Sequence, residues 1–368
     1  MMSFLRNVAD NFLGRGDAAI TVPPMDGPLK PNHIIDNAEV VAELEDGTDL
    51  ASDGENLWIS EGRRVFRLLA DGDKELVAKF QQKVTAIAWI AGRGIAVALD
   101  GCEVQVVGDK GWAAGYRSPG GKPLHAVTAI SSTRDGGLVL TDSSAAHPTA
   151  DWARDLLEKG KTGRVCSLYD DPGKDREIAG GLGYANGACE IDGSLWVSES
   201  WAHRVLRLDT NAAYGKTATL VGRLPAYPSR ISPATGGGAW MTMFAARRRL
   251  VEFVLREDGY RKAMMAQVDP RFWVAPMLSS GNSFREPLQG GNVKTMGISK
   301  PWAPPRSYGL VVRLGSDGLP RYSLHSRSDG HHHGIVSAVE ASGYLYMLSR
   351  GAGLLLRVGV DGLAERAT

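Results

Sequence analysis

The stretch that decides the fold is DGSLWVSESWAHRVLRLD, from Asp192 to Asp209. A glycine turn precedes a short apolar strand, Leu195 to Ser198, and after a polar loop a second apolar strand ends at Leu208. Short apolar runs that contain aromatic residues and are separated by tight glycine turns predict antiparallel strands. The stretch therefore predicts two neighbouring strands of one small sheet.

The same unit recurs along the chain. Its first strand begins at six places, Leu57, Ile95, Leu138, Leu195, Ala239 and Leu345. A repeat of about 40–45 residues with short strands is typical of the four-stranded blade of a β-propeller. We therefore predict an all-β fold, a six-bladed β-propeller in which each blade covers the faces of its neighbours.

Two intervals between repeats are longer than one blade and predict insertions. The first predicts a turn and a short helix, with Asp151 as N-cap and Gly160 as C-cap. The second is a helical and loop insertion between blades 5 and 6, at about 245–306, which is either a lid or a packed flap. We expect one propeller domain over 41–368 and an N-terminal extension, 1–40, that packs on it.

Composition and charge exclude several classes of protein. Lys and Arg number 42 and Asp and Glu 41, a balance that gives no overall attraction to nucleic acid or to an anionic membrane. The chain has neither an apolar run of about 18 residues nor a secretory signal. Its three cysteines are too far apart for a disulfide framework. We expect a soluble, cytoplasmic protein with no nucleic-acid partner and no transmembrane segment.

The N-terminal segment has apolar residues at helical spacing, which predicts a short helix that docks on the propeller. These residues are Phe4, Leu5, Val8, Phe12 and Leu13.

Several segments together resemble the strictosidine synthase-like family. They are LTDSS from Leu140, KTGR from Lys161, YANG from Tyr184, LPAYP from Leu224 and the segment that ends in SLH at His325. The resemblance implies a propeller of the superfamily that includes paraoxonases, gluconolactonases and calcium-dependent phosphotriesterases. It also implies a site at one end of the central tunnel and a hydrolase that acts on small esters or lactones.

The metal ligands of that superfamily are largely replaced here. At the matching positions the chain has Thr48 for a carboxylate, His125 for an asparagine, the retained Asn186, and Ser229 and Arg230 for Asp-Asn. Calcium needs six to eight oxygen ligands, whereas an arginine places a fixed positive charge at the site. We expect no resident cofactor; if calcium binds, Asn186 is the one family ligand that remains.

The residues predicted at the tunnel mouth are polar and basic. They are Thr48, His125, Asn186, Ser229, Arg230, His333 and Ser337. Ser337 matches the family's catalytic glutamate, so strictosidine synthesis is not expected. We predict that His125 or His333 acts as a general base on water or on Ser337. Thr48, Asn186, Ser229 and Arg230 are predicted to bind the ligand, and Arg230 suits an anionic group.

Structural interpretations of these residues stay open at this stage. The run His331–His333 could be a solvated loop, Asn186 could cap the tunnel backbone, and Arg230 could form a salt bridge with Asp49.

Three candidate functions remain open. The first is a hydrolase of small esters or lactones. The second is a non-catalytic propeller that binds a small anionic molecule or a protein partner, and the third is a condensation or isomerisation with a histidine base. Two acids at equivalent blade positions are expected to tie the blades together: Asp142 and Glu199.

Overall fold

The computed structural model describes residues 22–70, 72–108, 115–209, 217–283, 285–287, 294–295, 298–299 and 306–367. Six four-stranded antiparallel sheets contact one another through their innermost strands, and those strands close into a ring. This confirms the predicted six-bladed β-propeller. The predicted N-terminal helix lies outside the described residues.

The first half of the chain forms three blades. The chain enters through strand β1 (Glu39–Glu43). Blade 1 contains β2 (Gly47–Ser52), β3 (Leu57–Glu61), β4 (Arg64–Leu68) and β5 (Lys74–Lys79). Blade 2 contains β6 (Val84–Ile90), β7 (Gly94–Leu99), β8 (Glu103–Val107) and β9 (Gly115–Tyr116). Blade 3 contains β10 (Val127–Ser132), β11 (Leu138–Asp142), helix α1 (Trp152–Leu157) after β11, β12 (Gly163–Leu168) and β13 (Arg176–Leu182).

The second half of the chain completes the ring. Blade 4 contains β14 (Ala185–Ile191), β15 (Ser194–Glu199), β16 (Arg204–Leu208) and β17 (Thr217–Val221). Blade 5 begins with β18 (Ala226–Pro233) and β19 (Ala239–Ala246), which the insertion follows with α2 (Arg249–Arg256), α3 (Asp258–Gln267), β20 (Lys294–Thr295) and β21 (Ile298–Ser299). Blade 5 ends with β22 (Gly309–Leu314) and β23 (Pro320–Ser326). Blade 6 contains β24 (Ile335–Ala341), β25 (Tyr344–Ser349) and β26 (Leu354–Gly359), and helix α4 (Leu363–Ala367) follows.

The two chain ends meet in blade 6. Strand β1 is the outer strand of this blade and runs antiparallel to β26, with Glu39 opposite Arg357 and Glu43 opposite Leu354. The segment before β1 lies against blade 5, where Asn32 Oδ1 accepts the N–H of His325. This pairing supplies the fourth strand that blade 6 would otherwise lack.

The large insertion lies inside blade 5, so its predicted place between blades 5 and 6 is wrong. The chain leaves after β19 and returns at β22, which pairs with β19 with Met241 opposite Val312. The prediction identified each unit by its second strand. In blade 5 the third strand, β22, follows about 60 residues later, so the second strand appeared to end the unit.

The helix of the first insertion also differs from the prediction in its ends. Helix α1 begins after Asp151, but that side chain makes no capping hydrogen bond. The residue with positive φ after the helix is Lys159 rather than Gly160. No helix in the described part of the chain is long and apolar enough to cross a membrane.

The two insertions pack into one unit, which we call the cap (residues 145–162 and 247–283). Its helices are short, and short helices need tertiary packing for stability. They bury one apolar cluster, formed by Leu157, Val251, Val254, Met264, Trp273, Val274 and Ala275. Lys159 Nζ, on the first insertion, lies 3.0 Å from Asp258 Oδ1 on the second. The cap therefore joins blades 3 and 5 on one side of the ring.

Acidic residues at the ends of second strands hold the starts of inner strands. Asp142 Oδ1 accepts the N–H of Ala126 at 2.7 Å, and Glu199 Oε1 accepts the N–H of Gly183 at 2.8 Å. Glu61 Oε1 accepts the N–H of Glu45 in the same way in blade 1. Asp142 and Glu199 thus form backbone hydrogen bonds, as predicted, but these bonds join segments of one blade and do not tie two blades together.

We predict that His325 makes folding stability fall at acidic pH. Its Nδ1 lies 3.0 Å from Tyr308 Oη and its Nε2 2.7 Å from Ser323 Oγ, and burial lowers its pKa from 6.5 to about 3. Because the folded pKa is depressed, stability is complete above the unfolded pKa and is lost as pH falls through the window from 6.5 to about 3. Between these pH values, the titration of His325 should change the free energy of unfolding by up to about 1.4 kcal/mol per pH unit. The His325→Gln variant should lack this part of the slope.

The measurement is urea unfolding at several pH values between these limits. The exposed His331, changed to Gln, is the control and should keep the wild-type slope. An unchanged slope in His325→Gln would show that His325 does not titrate in this way.

Candidate ligand site in the central tunnel

All six inner strands carry a β-bulge near the same end of the tunnel. In β2, for example, pairing with β3 jumps from Gly47 to Asp49 and leaves Thr48 without a partner. A bulge redirects the side chain of the extra residue, and bulges are frequent beside functional sites. The residues skipped in this way are Thr48, Thr85, Thr128, Asn186, Ser229, Arg230 and Val336. All seven line one cavity, and we call them the bulge ring.

Arg230 crosses the tunnel at the floor of this cavity. It belongs to blade 5, yet it donates from Nη1 to the carbonyl of Val336 in blade 6 at 3.2 Å. It also donates from Nη2 to the carbonyl of Thr85 in blade 2 at 3.1 Å. Its Nε lies 2.9 Å from Asp49 Oδ1 in blade 1, an ion pair without the alignment of a hydrogen bond. The predicted salt bridge to Asp49 is confirmed.

The carboxylate of Asp49, the partner of Arg230, is also fixed by hydrogen bonds. The carboxylate is buried, and its oxygens accept the N–H of Leu50 at 2.9 Å and the N–H of Ile87 at 3.0 Å. Burial raises the pKa of Asp49, while Arg230 and the two amides act in the opposite direction. Asp49 and Arg230 also line a second cavity on the far side of the ion pair. The pair therefore divides the tunnel into two cavities.

Two more cations line the bulge-ring cavity, Lys83 and Arg350. Asp46 contacts both, with its Oδ2 at 2.6 Å from Lys83 Nζ and its Oδ1 at 3.5 Å from Arg350 Nη2. Burial lowers the pKa of Arg350, and the nearby charge of Arg230 acts in the same direction. No described residue that lines this cavity carries a carboxylate. The cavity is therefore electropositive.

The outer wall of the cavity is apolar and includes residues of the cap. Trp152 begins helix α1, and Leu278 belongs to the large insertion; both line the cavity with Phe244 and Tyr184. The carbonyl of Leu278 lies so close to blade 6 that a Cβ on Gly351 would collide with it. Burial raises the pKa of Tyr184, so its phenol stays protonated. The cap and blade 6 thus hold this wall against the ring.

The structure brings together four of the seven predicted site residues, Thr48, Asn186, Ser229 and Arg230. The other three are absent from the described lining of this cavity. His125 is exposed, and its Nδ1 lies 3.0 Å from the carbonyl oxygen of Ser144. Ser337 lies on the other side of the ion pair, where its Oγ accepts the N–H of Leu50.

His333 is a buried residue, so its interpretation as part of a solvated loop is wrong. Its Nδ1 lies 2.7 Å from Ser307 Oγ and its Nε2 lies 2.7 Å from the carbonyl oxygen of Arg327. The carbonyl requires a proton on Nε2, so Nδ1 accepts the Ser307 hydroxyl in the neutral tautomer. Burial lowers the pKa of His333, which favours that form.

Sequence reasoning missed several residues that line the cavity. Thr85 and Thr128 occupy the position of Thr48 in blades 2 and 3, each as the second residue of the inner strand. A threonine at this position in three consecutive blades is a signal that was present in the sequence. Lys83 and Arg350 lie just outside strands and offered no comparable signal, whereas Tyr184 opens the YANG segment but was not assigned to the site.

The bulge ring does not fit a calcium ion. Asn186 Nδ2 donates to Ser200 Oγ, and the other ring residues are hydroxyl or apolar side chains together with the Arg230 guanidinium. Calcium sites use several oxygen ligands that usually include carboxylates, and a guanidinium repels the ion. Among the described residues, no group of three His, Cys, Asp or Glu could hold a metal.

Comparisons with known proteins agree with the fold. No family profile matches the chain. It is 27% identical over 237 residues to the adipocyte plasma membrane-associated protein of Salmo salar, a match of 62% of this chain and 50% of that protein. The human protein of the same name is 26% identical, a match of 66% of this chain and 53% of that protein. The chain spans about half the length of these curated relatives.

Solved structures resemble the chain over most of its length. A gluconolactonase from Xanthomonas campestris superposes with a TM-score of 0.57 at 14% identity, covering 92% of this chain and 96% of that one. Regucalcin from Agrobacterium tumefaciens, described as calcium-binding, gives a TM-score of 0.53 at 12% identity, covering 88% of this chain and 93% of that one. At such identities the likeness shows the fold and nothing further.

We predict a strong energetic coupling between Asp49 and Arg230. Removal of one partner of a buried ion pair leaves an unpaired buried charge and costs about 3–5 kcal/mol. Asp49→Asn and Arg230→Met should each lower the free energy of unfolding in urea by that order. The double variant should lose much less than the two costs combined, because neither charge is left alone.

The control is Arg357→Gln, which breaks the exposed pair with Glu39 and should change stability little. Additive losses in the double variant would show that the two side chains are not coupled.

Proposed function

We propose that this chain is a strictosidine synthase-like propeller that binds a small anionic molecule in the bulge-ring cavity. The observation that carries the proposal is the charge of the lining: Lys83, Arg230 and Arg350 face the cavity, and none of its described lining residues is acidic. Charge-assisted bonds from guanidinium groups to carboxylates are among the strongest hydrogen bonds in proteins. A negative ligand would be held at the floor of the cavity.

Arg230 has donors left for such a ligand. A guanidinium carries five N–H groups. Nε faces Asp49, and Nη1 and Nη2 each donate to one backbone carbonyl. Each terminal nitrogen therefore has one N–H group that these carbonyls do not accept, and we propose that a carboxylate oxygen of the ligand binds there.

Hydrolysis of a small ester or lactone is the second candidate function. The gluconolactonases among the structural neighbours favour it, and cations at the cavity floor would stabilise the oxyanion formed when water attacks a carbonyl. This hypothesis assigns the base to His125 or His333 and requires one of them to reach a cavity that neither of them lines. Binding without turnover needs no such rearrangement and is the better supported of the two.

A cytoplasmic location is part of the proposal. Its support is the thiol chemistry: Cys102, Cys166 and Cys189 are all free, and burial raises the pKa of Cys166 and of Cys189 to about 12. Protonated thiols are poor nucleophiles, so these residues carry no reactive chemistry.

We predict that carboxylates stabilise the protein and that neutral analogues do not. Propionate should raise the midpoint of thermal unfolding in a concentration-dependent way, since a ligand that binds only the folded state stabilises it by mass action. Propionamide, which has the same shape without the charge, should have no effect. Lys83→Gln and Arg350→Gln should each weaken the apparent affinity for propionate about tenfold or more, because each removes a cation from the lining.

Arg357→Gln, at an exposed site away from the cavity, should bind propionate like wild type. Equal stabilisation by propionate and propionamide, or full affinity in both lining variants, would contradict the proposal. The same preparation tested against a panel of small esters and lactones decides the second candidate, which requires turnover that Arg350→Gln reduces.

A further inference from the structure

We infer that the ligand is a monocarboxylate with a flat or branched apolar body, and that it is neither a polyhydroxy acid nor a phosphate. This inference rests on the proposed anion site and specifies what that site selects. Four features of the cavity carry it: its net charge, the engagement of its hydroxyl groups, the chemistry of its outer wall and its size.

Nearby carboxylates offset most of the positive charge of the cavity. Among the described residues, three cations line it, Lys83, Arg230 and Arg350. Two carboxylates pair with these cations from behind, Asp46 with Lys83 and Arg350, and Asp49 with Arg230. A third, Asp155, lies close enough to the lining residue Tyr184 to add to the effect of burial in raising the pKa of its phenol. Because little net positive charge is left, a monocarboxylate suits the cavity better than a phosphate monoester, whose charge is nearer −2.

The hydroxyl groups of the bulge ring already donate within the protein. Thr48 Oγ1 donates to the carbonyl of Val84 at 2.9 Å, and Thr128 Oγ1 lies 3.3 Å from the carbonyl oxygen of Ala185. The ring amide is engaged in part, because Asn186 Nδ2 donates one of its two N–H groups to Ser200 Oγ. A hydroxyl has a single proton to donate. Outside the cations, the remaining donors of the described lining are the second Asn186 N–H, the Tyr184 phenol and the Thr149 hydroxyl. A ligand with many hydroxyl groups would therefore leave some of them unpaired, at a cost for each.

The outer wall offers apolar contact instead. The rings of Trp152 and Phe244 lie edge to face with centroids 5.1 Å apart. Ala150, Leu278 and Val336 complete the apolar part of the described lining. Such walls bury a flat or branched hydrocarbon body, and aromatic rings add edge and face contacts. The cations at the floor and the apolar wall under the cap thus suit the two ends of an amphipathic acid.

The wall is fixed before any ligand binds. Trp201 packs beside Trp152, and its Nε1 donates to Asp155 Oδ1 in helix α1 at 2.7 Å. Asp155 Oδ2 accepts the hydroxyl of Ser144 at 2.6 Å, which ties the start of the first insertion to the same carboxylate. Because these side chains are already ordered, ligand binding does not have to overcome the entropic cost of ordering them.

The cavity sets an upper limit on ligand size. Its volume is about 100 Å³. A water needs about 10–15 Å³ on this measure, so the cavity holds roughly seven to ten waters. An acid of about ten non-hydrogen atoms fills that space, and phenylacetate is such a molecule. It is therefore the probe we choose.

The test compares dissociation constants by calorimetry on the full chain. Phenylacetate should bind at least tenfold more tightly than acetate, gluconate and phenyl phosphate, and phenylacetamide should not bind. Trp152→Leu should remove most of the advantage of phenylacetate over acetate while acetate binding stays unchanged. Leu278→Ala is the second wall variant if Trp152→Leu does not fold. Tyr344→Leu, at an exposed ring on blade 6, is the matched control.

The outcomes separate this inference from the proposed function. Equal binding of acetate and phenylacetate that depends on Arg350 would overturn the inference and leave the anion site intact. Tighter binding of gluconate or phenyl phosphate would overturn it in favour of a polyol or a dianion. No binding of any acid, or equal binding of phenylacetamide, would overturn both.

Discussion

The ion pair between Asp49 and Arg230 is the interaction on which the rest of the site depends. It spans the tunnel from blade 5 to blade 1, and hydrogen bonds of the same two side chains reach blades 2 and 6. A buried ion pair is often no more stabilising than apolar residues of the same size, so its presence calls for a functional account. Here it divides the tunnel, and Arg230 lines the cavity on each side of the pair. The same two residues thereby form a wall between two cavities and the floor of one of them.

The repeat architecture explains why this floor lies within a ring of equivalent residues. Each inner strand bulges after its first residue, or after its third in blade 5, so every blade contributes at least one side chain at the same height. Five blades contribute a small residue there, and blade 5 contributes Arg230 in addition to Ser229. The insertions of blades 3 and 5 then cover the ring with apolar residues. The charge of the floor thus comes from Arg230, and the apolar wall comes from the insertions, both of which are absent from the other blades. The repeat sets only where these features lie.

The sequence was sufficient to predict the fold, because the evidence for it is periodic. The six predicted strand starts all fall in the second strand of a blade, from β3 to β25. The site was predicted less well because a bulge is not visible as a pattern. It inserts one residue, and a shift of one residue turns a strand side chain to the opposite face. Ser337 was expected in the cavity for this reason, whereas its neighbour Val336 is the residue that lines it.

Other differences have equally local causes. His125 lies three residues before Thr128, the residue that blade 3 contributes to the ring, so the family alignment was displaced there. Arg350 follows the last residue of β25, in a turn that carries no repeat signal. The salt bridge of Arg230 with Asp49 was predictable, because both residues lie on inner strands, which face one another across the tunnel.

The most direct test of this account is a crystal structure of the full chain with 4-bromophenylacetate, measured at the bromine absorption edge. The account predicts one anomalous peak between Trp152 and Phe244, with the carboxylate on the terminal nitrogens of Arg230 and the Asp49 ion pair intact. A bromine peak only outside the bulge-ring cavity, or an ion on the tunnel axis with Arg230 turned away from Asp49, would contradict it.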